Sequence, residues 1–82
     1  MMILEQVVLL KLIIPNNMKT ILMNIILERT KKGYSQEYMA EKLGIVQKTY
    51  CKLEKGRTKL SVVRLQEIAL ILEKDICTLL LD

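Results

Sequence analysis

The sequence predicts an all-α fold of five short helices, and three observations carry that expectation. Apolar residues recur at three- and four-residue steps, most plainly at Val62, Leu65, Ile68, Ala69 and Leu72. Helix punctuation falls between the periodic stretches, with Ser35 and Ser61 as N-caps and Gly44 and Gly56 at helix ends. The composition is 51% hydrophobic, yet the only aromatics are three Tyr, so Ile, Leu, Val and Met must build the core. Such a core suits packed helices better than a sandwich. Eighty-two residues make one domain with a small core.

The first fourteen residues are the least ordinary part. The pairs Val7-Val8 and Ile13-Ile14 favour a strand, whereas the Leu and Met residues tolerate a helix, and periodicity leaves both open. The apolar run from Val7 to Ile14 is broken by Lys11 and is too short to cross a membrane. It also lacks the basic lead and small-residue cleavage site of a secretory signal. A cytoplasmic protein with no membrane partner is expected. Pro15 ends this arm, and Asn16-Asn17 can turn the chain and cap the first helix. Residues 1–17 are therefore read as an apolar arm, for dimerisation or packing, before a domain at 18–82.

The first helix is expected from about Met18 to Lys32. Leu22, Ile25 and Arg29 share one face, while Ile21, Met23, Ile26 and Leu27 spread apolar surface around the rest. A helix apolar on nearly all sides needs cover on more than one side. The N-terminal segment, from this chain or from a second copy, is expected to supply it. Deleting residues 1–16 should then lower stability or self-association. A second helix is expected from about Gln36 to Leu43 and a third from Gln47 to Lys55. The fourth follows Ser61 through Leu72, and a short fifth, capped by Asp75, turns Ile76, Leu79 and Leu80 inward.

The stretch from Gln36 to Leu53 organises the chain. Ala40 is small where two helices must approach, and Gly44 follows Leu43 where the backbone must turn. Met39, Leu43, Ile45, Tyr50 and Leu53 supply one apolar surface, while Gln47, Lys48, Thr49 and Lys52 can point outward together. That is the pattern of a helix-turn-helix whose second helix enters a DNA major groove. Charge agrees with it. Of the +4 formal total, the segment from Arg29 to Arg64 holds ten basic residues against Glu37, Glu41 and Glu54, a local +7. A concentrated basic segment favours a polyanionic partner. Chemistry is poorly served. The chain has no His, no phosphate-binding glycine loop and no spaced carboxylate cluster, so no enzyme, metal or cofactor is expected. Cys51 and Cys77 stand far apart without a paired-cysteine motif and are read as reduced structural residues.

On these residues a family emerges. Residues 21–80 resemble the Cro and phage-repressor-like helix-turn-helix domain, the xenobiotic-response-element family of bacterial regulators. The signature runs Lys32-Gly33-Tyr34-Ser35-Gln36-Glu37, then Ala40-Glu41-Lys42-Leu43-Gly44-Ile45, then Gln47-Lys48-Thr49-Tyr50 and Leu53-Glu54-Lys55-Gly56. The resemblance implies a lambda-repressor-like fold and a role for each matching residue. Gln47, Lys48 and Lys52 match base-reading positions, and Gln and Lys suit adenine and guanine edges respectively. Gln36, Thr49, Lys55, Arg57, Thr58 and Lys59 match positions that contact phosphates. Arg29 and Glu54 match a structural pair tying the first helix to the third; partial exposure is expected to limit it to about 1 kcal/mol or less.

Three departures stand out. Val46 replaces the usual Ser or Thr cap of the recognition helix. Tyr50 replaces an aliphatic residue and is expected to loosen or shift the packing of the second and third helices. Glu73 replaces a glycine after the fourth.

The expected function is a sequence-specific regulator of transcription, a repressor acting as a homodimer on an inverted repeat of double-stranded DNA. With nearly the whole chain taken by the DNA-binding domain, its control is expected from concentration, dimerisation or a partner. An antitoxin with a toxin partner and a restriction–modification controller both fit. The alternative is a protein-interaction module, such as a toxin-binding antitoxin, in which the arm and first helix bind a partner protein.

Overall fold

The structure is a computed structural model that describes residues 18–80. The arm and its Asn16-Asn17 cap lie outside the described residues. Five helices run in order: α1 Met18–Lys32, α2 Gln36–Leu43, α3 Gln47–Glu54, α4 Val62–Ile71 and α5 Ile76–Leu80. Every described element is helical, as the apolar steps and the aliphatic composition predict. The third helix stops one residue earlier than expected, because Lys55 serves as its C-cap.

Local chemistry sets the boundaries. The hydroxyls of Ser35 and Ser61 accept from the backbone N–H of Tyr38 and Arg64, each at 3.0 Å, and so cap α2 and α4. Gly44 ends α2 at φ +71°, and the next N–H, of Ile45, bonds back to the Ala40 carbonyl at 3.0 Å. This left-handed turn redirects the chain within two residues, and a side chain there would be strained. Gly56 does the same after α3 at φ +74°. Val46 sits in the cap position of α3 with extended backbone and no side-chain hydrogen bond.

The helices close around one aliphatic core. Ile21 and Ile25 of α1, Met39 and Ala40 of α2, Tyr50 and Leu53 of α3, Leu65, Ile68 and Ala69 of α4, Leu72, and Leu79 and Leu80 of α5 are buried together. α2 packs on α3 and α4, while α1 packs on α3 and α5. Ala40 is the small residue in the α2 surface, so α3 can cross it closely. Among the four residues expected around the back of α1, Ile21 enters the core, but Met23, Ile26 and Leu27 stay exposed.

Tyr50 is fully buried, so the expected loosening leaves no exposed gap at this side chain. Its cost lies in the hydroxyl, which is buried with no hydrogen-bond partner among the described residues. Burial pushes the phenol pKa well above its ordinary value, and the Glu54 carboxylate adds to that shift.

Candidate nucleic-acid interface

The core fixes which side of α3 faces outward. With one residue every 100°, Tyr50, Leu53 and Glu54 take the inward side. Gln47, Lys48, Cys51, Lys52 and Lys55 then share an outward arc of about 140°. The structure shows that arc as one wall of an open groove of about 450 Å³, completed by Gln36 from α2 and Arg57 from the turn after α3. Arg57 is held there by its backbone N–H, which bonds to the Lys52 carbonyl at 2.9 Å across the Gly56 turn.

The charge of this groove depends on where the carboxylate of α3 goes. Glu54 turns inward and accepts from Arg29 Nε at 2.7 Å and Arg29 Nη2 at 3.2 Å. Gln36 Nε2 donates to Glu54 Oε1 at 2.9 Å, and Arg29 Nη1 donates to the Tyr34 carbonyl at 2.9 Å. One buried carboxylate thus ties α1, α2 and α3 together. The pair is part-buried, with the Arg29 and Glu54 side chains 15% and 5% exposed. A forked, hydrogen-bonded pair at that depth is costly to break on one side, because the other charge stays buried. Among the described residues, the groove is left with Lys48, Lys52, Lys55 and Arg57 and no carboxylate in its lining. Among the described residues, none of these four cations is in an ion pair.

The sequence-derived positions divide in two. Gln36, Gln47, Lys48, Lys52, Lys55 and Arg57 come together in the groove. Thr49, Thr58 and Lys59 are exposed outside its lining, Thr49 on the flank of α3 beyond Lys52. Sequence reasoning missed the Gln36–Glu54 bond, which spends the amide donor of Gln36 on positioning α3. It also missed the Lys32–Glu73 ion pair at 2.7 Å, which joins the end of α1 to the turn after α4. Neither has a local signal, since each pairs residues far apart in the chain.

A family profile described as Helix-turn-helix matches residues 25–79. The chain belongs to the Cro and xenobiotic-response-element type of helix-turn-helix proteins. Comparison with curated proteins and with solved structures returns no match. This helix-turn-helix chain is a DNA-binding regulator of transcription. Its family is typically non-enzymatic. Among the described residues, no helix is long and apolar enough to cross a membrane.

Proposed function

We propose that this helix-turn-helix protein is a cytoplasmic, sequence-specific repressor that binds an inverted repeat as a homodimer, with α3 in the major groove. The observation that carries this reading is the groove itself. Among the described residues it gathers the Gln47 amide and four cations that have no ion-pair partner, and no carboxylate lines it. Gln47, Lys48 and Lys52 lie on the arc that approaches base edges. The Gln47 amide suits adenine, and the lysines suit guanine acceptors. Lys55 and Arg57, with Thr49, Thr58 and Lys59 outside the lining, hold phosphates on either side.

Two features of the backbone support the same pose. Val46 offers α3 no side-chain cap, so the first amides of that helix keep their donors for a phosphate. Gln36 stands at the start of α2, where a phosphate also meets unpaired amides, while its side chain braces Glu54. A two-fold arrangement would set the two α3 helices one DNA turn, about 34 Å, apart.

Selection from a random-sequence duplex pool at two salt concentrations, with the mass measured by light scattering, tests the proposal. A palindrome enriched by a dimer is expected. Unselective binding that fades with salt would reduce the groove to a general polyanion patch.

A further inference from the structure

We propose that residues 3–14 of the same chain fold back and occupy an apolar groove on the outer face of α1. This goes beyond the DNA-binding reading and does not depend on it. The groove, about 480 Å³, is lined by Met23, Asn24, Ile26, Leu27 and Thr30. Met23 is 61% exposed and Leu27 50%, and with Ile26 they form a continuous stripe at three- and four-residue steps. Scattered apolar residues on a surface are ordinary, but a contiguous apolar groove marks a face that something covers.

The apolar run at residues 3–14 and its short spacing from Met18 select the occupant. Nine of the twelve residues 3–14 are Ile, Leu or Val, and they stop three residues short of Met18. Ile14 and Met18 are four residue steps apart, at most about 14 Å, so the tether keeps the end of this run within reach of the first turns of α1. From there to Thr30 is about 18 Å of helix. Twelve residues cover about 18 Å as a helix and about 40 Å as a strand, so the arm spans the groove in either form. The short tether also gives the arm a local concentration on the order of millimolar, which a free second copy does not match.

The test compares full-length wild type with Leu27→Glu, Leu10→Glu and Leu70→Glu. Hydrogen exchange, melting temperature and mass are measured for each. Leu70, 81% exposed on α4, is the control outside the groove. Protection of the amides of residues 3–14 is expected in wild type and in Leu70→Glu, and its loss in Leu27→Glu. A fall in melting temperature of about 5 °C or more should accompany that loss. Leu10→Glu alters only the arm and should reproduce the loss of protection even where Leu27→Glu fails to fold. Unprotected amides in wild type, or a Leu27→Glu as silent as Leu70→Glu, would overturn the proposal. So would a mass halved by Leu27→Glu, which would give the groove to a second copy.

Discussion

At the residue scale, two buried polar groups on α3 are handled in opposite ways. Glu54 is surrounded by donors from Arg29 and Gln36, whereas the Tyr50 hydroxyl is buried without a partner among the described residues. Arg29→Met should therefore be severe. It leaves a buried carboxylate that keeps only the Gln36 hydrogen bond among the described residues, and urea denaturation should show a loss of about 3–5 kcal/mol. Tyr50→Phe should do the reverse. Removing a buried hydroxyl that has no hydrogen-bond partner among the described residues keeps the ring packing and should raise stability by about 1 kcal/mol. A comparable loss in the same titration would mean that the hydroxyl is hydrogen-bonded after all. The sequence suggested both residues but neither environment: the depth of the Arg29–Glu54 pair and the burial of the Tyr50 hydroxyl beside it depend on how three helices meet.

At the scale of elements, four of the described helices are followed by a left-handed residue, and three of those residues are glycine. Gly33, Gly44 and Gly56 come after α1, α2 and α3, but after α4 the position is held by Glu73 at φ +56°. A Cβ on Gly44 would meet nothing within 4 Å, whereas one on Gly56 would lie 3.2 Å from Leu22 Cδ1. Gly44→Ala should thus cost about 1 kcal/mol from backbone strain alone. Gly56→Ala should cost more, and would also shift Arg57; thermal melts of the two variants rank them.

Glu73→Gly should raise the melting temperature by a few degrees, because relief of the strained backbone outweighs an exposed ion pair with Lys32. The Lys32 ammonium holds the Glu73 carboxyl below the usual glutamate range. That pair therefore contributes above the ordinary glutamate pKa and fades as pH falls through the lowered folded value. The gain from Glu73→Gly should accordingly be larger in acid than at neutral pH. Helix ends were the most legible part of the sequence, since caps and glycines act within four residues. The Lys32–Glu73 pair, 41 residues apart, had no local trace.

At the scale of the molecule, a hydrophobic scaffold turns a modest excess of basic residues into one uncompensated groove. The +7 between Arg29 and Arg64 was legible, as was the outward arc of α3, because both arise from composition and helical spacing. That Glu54 would withdraw from the surface, and that Thr49, Thr58 and Lys59 would fall outside the groove lining, required the packed helices. Binding through phosphates releases counterions, so each contact adds about −0.9 to the slope of log affinity against log salt. The most direct test measures that slope for wild type, Gln47→Ala and Arg57→Ala, on the selected palindrome and on a scrambled duplex. Gln47→Ala should lose preference for the palindrome by about 5- to 150-fold with its slope unchanged. Arg57→Ala should weaken both duplexes alike, with a slope shallower by about 0.9. If both variants weaken both duplexes equally, α3 does not read sequence through Gln47, and the central claim is wrong.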